Sequence, residues 1–188
     1  FTLRPENTEP FDYEQALKNQ YPELEFERPD GEVVYRVKGQ DSDFILRRNL
    51  EYFASKQALN IEGLGEKNVN LLVDAGLLKS LVDLYRLQKS DLINLERFGE
   101  LSATKLLNAI EGTKQASLAK FITALGIRHV GAQTAVALAD AFQSLEALRD
   151  ATEEELLKIP DIGLTVSESI LAYFADEDNL KQLDAFAA

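Results

Sequence analysis

Apolar positions recur at a fixed spacing through the C-terminal three quarters of the chain. From about Ser42 onward they are three and four residues apart, which is the spacing of amphipathic helices. Four glycines, 34, 32 and 32 residues apart, mark four copies of one pattern: Gly65, Gly99, Gly131 and Gly163. Apolar residues precede each glycine by one, four and six positions, a small or modest residue follows four positions after it, and Leu or Ile follows seven positions after it. The sequence therefore predicts a tandem helical repeat.

Each copy predicts two helices joined by a tight turn of the form apolar-x-x-apolar-Gly. The glycine opens the second helix, where we expect the backbone to bend and side-chain bulk to obstruct a partner. The small residue four positions later should let the two helices come close together. Such a hairpin cannot bury its apolar face alone, so four of them should pack as one compact, mainly α domain. A purely structural helical repeat is the alternative interpretation.

The first part of the chain has a different composition, with four of the five prolines in residues 1–49. We expect a short helix from Asp12 to Gln20, capped by Asp12. Val33–Val37 reads as a strand that follows a Pro29–Gly31 turn. The predicted domains are thus a small irregular or β module over residues 1–43 and a helical domain over residues 44–188. A poorly packed tail is the alternative for the first of these.

Composition excludes several kinds of chemistry. With no cysteine among 188 residues, the chain cannot form disulfides, thiolate zinc sites or a cysteine nucleophile. His129 is the sole histidine, which argues against histidine-based metal sites and a histidine triad. No apolar run approaches the roughly 20 residues of a membrane helix, so we expect a soluble protein without a membrane partner. Because there is no methionine and the chain begins at Phe1, we expect a piece of a longer protein.

A net charge of −12 would disfavour nucleic acid if it were spread evenly, but it is not. Residues 50–139 carry 10 basic and 9 acidic side chains, whereas residues 140–188 carry 3 and 12. The first N–H groups of a helix lack partners and its dipole is positive there, so a glycine at that point lets a phosphate oxygen approach. This contact uses the backbone and does not need a basic protein. The hairpins could therefore hold phosphates on both strands of a duplex, across the minor groove, without reading bases.

The run Ile61-Glu62-Gly63-Leu64-Gly65 has the apolar-x-Gly-apolar-Gly form of the helix-hairpin-helix DNA-binding motif. With four tandem copies, the chain resembles bacterial NAD-dependent DNA ligases, most closely over Tyr52–Lys67, Leu84–Leu87 and Phe121–Gly131. Arg4–Thr8 resembles the exit from the OB-fold domain of that family. The resemblance implies non-sequence-specific binding of nicked double-stranded DNA, as part of an enzyme that seals nicks in replication and repair in the bacterial cytoplasm.

The resemblance also implies which residues contact DNA. In the second, third and fourth hairpins the first glycine of the motif is replaced by Arg97, His129 and Asp161, so the fourth should be the poorest phosphate binder. The implied DNA-binding residues are Gly63, Gly65, Lys67, Arg97, Gly99, Arg128, His129, Gly131 and Gly163.

Zinc is where the chain departs from this family, which carries a four-cysteine zinc finger between the OB-fold and the helical domain. Here Val37 and Ser42 occupy one pair of cysteine places, and the other pair would lie near Asn19 and Pro22. We therefore expect residues 1–43 to hold the OB-fold exit and a degenerate finger without zinc. Packing should stabilise it instead, helped by three aromatic residues: Tyr21, Phe26 and Phe44.

Catalysis is not expected in this chain, because the Lys-x-Asp-Gly motif of the family's nucleotidyltransferase domain is absent. NAD would belong to other domains of the same ligase, with which this segment would act, and the segment alone should be inactive. Glu153, Glu154 and Glu155 follow Thr152 and are interpreted as a helix start. Two other functions stay open: a stand-alone DNA-binding or nuclease-accessory module, and a helical protein–protein adaptor.

Overall fold

The computed structural model describes residues 12–22, 25–28, 36–37 and 42–188. The chain divides into two units, Phe1–Ile45 and Leu46–Ala188. Among the described residues, no helix combines the length and apolar character needed to cross a membrane.

The described residues of the first unit form a short helix, a minimal antiparallel ladder and the start of a longer helix. Helix α1 spans Tyr13–Gln20, and the Asp12 carboxylate caps it by accepting a hydrogen bond from the Gln15 amide at 3.0 Å. Strand β1 (Phe26–Glu27) pairs with β2 (Arg36–Val37). The predicted helix is thus confirmed. Of the predicted strand, Arg36 and Val37 are observed, whereas Val33–Tyr35 and the Pro29–Gly31 turn lie outside the described residues.

The three aromatic residues that were expected to pack together do so. The ring centroid of Tyr21 lies 6.4 Å from that of Phe26 and 5.8 Å from that of Phe44, the second pair in an edge-on arrangement. Edge-on aromatic pairs add to the energy of apolar burial. The unit therefore has a local aromatic contact in the part where the sequence lacks cysteines.

The second unit is helical throughout, which confirms the mainly α fold class. Helix α2 (Ser42–Ala54) contains the boundary between the two units. It is followed by α3 Glu66–Asp74, a 3₁₀ helix Leu81–Arg86, α4 Lys89–Leu92, α5 Glu100–Gly112, a 3₁₀ turn Thr113–Gln115, α6 Leu118–Ala124, α7 Ala132–Phe142, α8 Leu145–Arg149, α9 Glu153–Leu157, α10 Leu164–Ala175 and α11 Glu177–Ala187.

The buried positions of the repeat follow the predicted pattern on the C-terminal side of each glycine. The residues four positions after the glycines have no solvent-exposed surface, and those seven positions after are at most 1% exposed. They are Val69, Ala103, Ala135 and Ser167 at the first position, and Leu72, Leu106, Leu138 and Ile170 at the second. The second helix of every hairpin therefore buries the same face.

On the N-terminal side of the glycine, the buried position differs by one residue from the apolar position of the sequence pattern in two hairpins. The sixth position before the glycine is exposed in the second and fourth hairpins, where Ile93 and Leu157 point to solvent. The seventh position is buried in all four, by Ala58, Leu92, Ala124 and Leu156. One residue turns a helix by about 100°, so in helices as short as α4 and α9 that shift moves a side chain from core to solvent.

The second unit has two hydrophobic cores rather than one. The first contains the hairpins of Gly65 and Gly99, named here the first pair, and its buried residues run from Leu50 to Ile110 with Ala124. The second contains the hairpins of Gly131 and Gly163, named here the second pair, and its buried residues run from Ile122 to Leu183. The four hairpins are therefore built as two pairs.

Candidate nucleic-acid interface

The four repeat glycines occupy one equivalent position, the residue that caps the second helix of each hairpin. Their φ angles lie between −95° and −87° and their ψ angles within 7° of 180°, which is ordinary extended backbone. A Cβ added at any of the four would meet no atom within 4 Å. Neither backbone conformation nor packing inside the chain demands glycine there, contrary to the expectation that the bend requires it. The lack of a side chain leaves the surface open instead.

Four other helices of the second unit, α6, α8, α9 and α11, begin differently, at polar side chains that accept hydrogen bonds from their first amides. The hydroxyls of Ser117, Ser144 and Thr152 accept hydrogen bonds from backbone amides at 3.1–3.3 Å, and the Asp176 carboxylate accepts two at 2.9 and 3.0 Å. Serine and aspartate are better helix caps than glycine. The hairpin helices therefore forgo a stabilising cap and keep positively polarised N–H groups accessible to an external acceptor.

The second hairpin is an exception in part. The Gly99 amide donates to the Ser102 hydroxyl at 2.9 Å, and that hydroxyl also contacts the Gly99 carbonyl at 3.1 Å. One of the donors that the sequence assigned to DNA binding is thus already engaged. Phosphate binding at Gly99 would require the Ser102 side chain to rotate away.

The turn before each glycine is closed by the same backbone hydrogen bond, from the amide one residue before the glycine to the carbonyl four residues before it, at 3.0–3.2 Å. The third residue of this turn has a left-handed conformation in three hairpins: φ is +90° at Gly63 and +66° at both His129 and Asp161. Arg97 in the second hairpin does not adopt it. His129 and Asp161 therefore hold a conformation that costs a non-glycine residue about 1 kcal/mol or more.

The first turn is also tied to its own helix, because the Asn68 side-chain amide donates to the Gly63 carbonyl at 2.6 Å.

Charges around the turns differ among hairpins. Lys67, Arg97, Arg128 and His129 are all exposed. In the first hairpin Glu62 and Glu66 share the turn with Lys67 and line a cleft of about 510 Å³ beside Gly65. The third hairpin is the one whose residues 126–135 contain Arg128 and His129 and no carboxylate. Within these ten residues the sequence thus places no acidic side chain that would repel a phosphate.

Two exposed leucines were missed by the sequence reasoning. Leu101 is 70% exposed and Leu164 is 60% exposed, and each lies in the first turn of the second helix of its hairpin, in α5 and α10 respectively. The equivalent turns of the first and third hairpins begin with Glu66-Lys67 and Ala132-Gln133. The sequence does show an apolar residue one or two positions after the glycine in these two hairpins. That residue lies outside the repeated positions, four and seven after the glycine, that are buried.

The acidic run at α9 is a helix start, as interpreted. Thr152 and Glu155 form a reciprocal cap, in which the Glu155 carboxylate accepts from the Thr152 amide at 2.9 Å. This backbone hydrogen bond, followed by the one from the Thr152 hydroxyl, lowers the pKa of Glu155. Within the described ranges, no group of three or more His, Cys, Asp or Glu side chains is placed to hold a metal ion.

Comparison with known proteins finds similar sequences for this chain. Residues 120–183, which contain the third and fourth hairpins, match the helix-hairpin-helix motif family. The chain is 47% identical over 159 residues to a DNA ligase of Anoxybacillus flavithermus. The aligned region covers 85% of this chain and 24% of that ligase. It is 44% identical over 164 residues to DNA ligases of Bacillus thuringiensis and Bacillus cereus, at 87% and 24% coverage.

The chain spans about a quarter of the length of these curated relatives. These matches confirm the resemblance to bacterial DNA ligases. The shared glycine-capped geometry extends from the matched third and fourth hairpins to the first and second. The chain therefore carries the helix-hairpin-helix motif and corresponds to the helix-hairpin-helix segment of bacterial DNA ligases.

Proposed function

We propose that this chain binds duplex DNA through backbone amides at the starts of its hairpin helices, which contact phosphates across the minor groove. The observation that carries the proposal is the contrast between helix starts. The second helix of every hairpin begins at a glycine without a side-chain cap, and the space beside each is open. A backbone contact of this kind explains how a chain of net charge −12 can bind a polyanion.

The contact would be duplex-preferring and indifferent to base sequence, because phosphates carry no base information. Its salt dependence would be modest, since few Lys or Arg side chains displace counterions. The exposed side chains of Leu101 and Leu164 would lie beside the phosphate contacts and pack on the sugar edges of the groove. The hairpins would thus combine polar contacts to phosphates with apolar contacts to sugars.

The segment would act within an NAD-dependent ligase that seals nicks in replication and repair in the bacterial cytoplasm. Other domains of that enzyme would bind NAD and carry out adenylation, since this chain has no Lys-x-Asp-Gly motif. Its role would be to hold the nicked duplex, and it would be inactive alone. No resident zinc is expected, because the cysteines are missing. Elemental analysis that found one tightly held zinc per chain would contradict this part.

A protein–protein adaptor is the second candidate function, and it predicts a different environment around the four glycines. If the hairpins were packing devices, a Cβ at the glycine positions would meet neighbouring atoms, whereas all four positions are open. The geometry thus favours a partner that approaches the bare backbone. A stand-alone DNA-binding module would use the same surface and differs only in what surrounds the segment.

The test compares Gly65→Asp with Gly163→Asp. Aspartate is a better cap than glycine and the extended φ accepts it, so both variants should fold, which circular dichroism checks first. Gly65→Asp blocks the open amides and adds a repelling charge, so it should lower affinity for a nicked duplex about tenfold or more, as the loss of one charge-assisted hydrogen bond would. Gly163→Asp should cost less, because the fourth hairpin lies in residues 140–188, which carry 3 basic and 12 acidic side chains, and Asp161 in its turn already opposes phosphate.

The readout is fluorescence anisotropy with two duplexes of unrelated sequence. Equal losses in the two variants, or no loss in Gly65→Asp, would favour the adaptor. Strong discrimination between the two duplex sequences would contradict a phosphate contact.

A further inference from the structure

One aromatic side chain near the end of the chain contacts the opposite half of the second unit. Phe186, in the last turn of α11, stacks on Phe53 with ring centroids 6.0 Å apart and planes inclined by 15°. Tyr85 and Phe121 meet the same ring edge-on, with centroids 5.8 and 5.3 Å away. Phe186 is therefore the centre of a four-ring cluster.

The partners of Phe186 belong to the first core. Phe53 lies in α2 and is fully buried there, and Tyr85 in the 3₁₀ helix packs against the same core. Tyr85 is held in place by a 2.6 Å hydrogen bond between its hydroxyl and that of Thr113. Phe121, in α6 at the start of the second pair, packs against both cores.

The middle of α11 packs in the second core. Leu183 is 4% exposed and lies within that core, and Leu180 packs against it. Asp184 accepts a hydrogen bond from Arg149 of α8 at 2.9 Å. Helix α11 thus packs by Leu180 and Leu183 against the second core and by the ring of Phe186 against the first.

We propose that Phe186 is a positioning residue that fixes the first hairpin pair relative to the second, so that both pairs bind one duplex at once. The DNA part of this inference rests on the proposed function. Two binding modules held at the right separation gain affinity because the second contact becomes intramolecular, and that gain falls when the modules move independently. The ring partners of Phe186 are Phe53, Tyr85 and Phe121, none of which is a proposed phosphate contact, so its expected effect on binding is through this separation.

The coupling itself is tested without DNA, by native-state hydrogen exchange on the full chain. Amides of α5 in the first core and α10 in the second should open together in the wild type, with equal free energies. In Phe186→Ala the two sets should separate, with one core opening more easily than the other. Phe186→Tyr keeps the ring and should restore joint opening. Joint opening that persists in Phe186→Ala, or separate opening in the wild type, would overturn the proposal.

The consequence for binding is tested with duplex length. The wild type should bind a duplex of about three helical turns (about 30 base pairs) on the order of a hundredfold tighter than one of about one turn. Phe186→Ala should reduce that ratio to about tenfold or less while its affinity for the short duplex stays near the wild-type value. Arg149→Ala is the matched control. It removes the exposed ion pair between Arg149 of α8 and Asp184 of α11, the helix that carries Phe186, and should leave the ratio unchanged.

A merely structural role for Phe186 would lower both affinities together and leave their ratio intact, which would overturn the positioning role. If the wild type bound neither duplex, the proposed function would fail, and hydrogen exchange alone would decide the coupling.

Discussion

Ser167 occupies, in the fourth hairpin, the fully buried position that Ala135 occupies in the third. The Ser167 hydroxyl has no hydrogen-bond partner among the described residues, although it lies where the other three hairpins place valine or alanine. A buried hydroxyl without a partner costs free energy, because it gives up its hydrogen bonds to water. The fold therefore carries a polar defect at one copy of a repeated apolar position.

Ser167→Ala should raise the free energy of unfolding by about 1–2 kcal/mol, because it removes that hydroxyl and leaves an alanine that the equivalent position already accommodates. Chemical denaturation measures the change. Ser169→Ala is the matched control in the same helix, since the Ser169 hydroxyl donates to the Thr165 carbonyl at 3.1 Å. Ser169→Ala gains helix propensity as Ser167→Ala does, but it removes no buried hydroxyl without a partner. An increase in the free energy of unfolding as large as that of Ser167→Ala would therefore refute the explanation by the buried hydroxyl.

A second orphaned polar group predicts how stability depends on alkaline pH. The Tyr173 hydroxyl is buried without a partner among the described residues, and burial, with a smaller effect of Asp176, raises its pKa to about 12. The unfolded state releases this proton near the ordinary value of 10.0, so stability falls as pH rises from about 10 to about 12.

Tyr173→Phe should be at least as stable as the wild type at pH 7, and should lose less stability than the wild type between pH 10 and 12. Urea denaturation of both proteins across that range measures the difference between the two curves. Parallel curves would show that Tyr173 does not contribute to the alkaline loss.

His129 and Asp161 offer a matched pair in the DNA-binding turns, because both hold φ at +66° two residues before a repeat glycine. Changing either to glycine relieves the left-handed strain and adds the entropy cost of glycine, so stability should change by less than about 1 kcal/mol in both.

The effects on DNA affinity should have opposite signs. His129→Gly removes an imidazole N–H that can donate a hydrogen bond to phosphate and should weaken binding, whereas Asp161→Gly removes a carboxylate that repels phosphate and should strengthen it, each by about two- to fivefold. Anisotropy at low salt measures both. Changes of the same sign would mean that conformation, rather than charge, determines the contribution of this position.

The exposed leucines predict a loss of affinity without a change in salt dependence. Leu101→Ala combined with Leu164→Ala should fold normally, because both side chains are mostly exposed. It should bind nicked duplex about three- to thirtyfold more weakly, as expected for the loss of apolar contact at two sites. The slope of log affinity against log salt should not change, since no cation is removed.

Ile93→Ala is the control for that experiment, because Ile93 is 41% exposed and lies in the second hairpin on the helix before the turn. Its affinity should match that of the wild type. A reduced salt slope in the double variant would contradict an apolar contact.

Much of the repeat could be predicted from the sequence, because its determinants are local. A glycine followed by a small or modest residue four positions later and by Leu or Ile seven positions later determines which face of α3, α5, α7 and α10 is buried, and a helix turn depends only on neighbours in the chain. The caps at Asp12 and Thr152 were predictable for the same reason. The register of the short helices α4 and α9 was not, since a single residue of rotation in one turn of helix leaves little periodic signal.

Other features were decided only by the tertiary structure. The sequence by itself determined four glycine-opened helices and an absence of thiolates. It did not determine that the hairpins form two cores, that the Gly99 amide is engaged by Ser102, or that Phe186 contacts Phe53 across 133 positions of the chain. Contacts of that kind depend on how helices pack in space, and the periodicity of any one helix holds no information about which distant ring its last turn will meet.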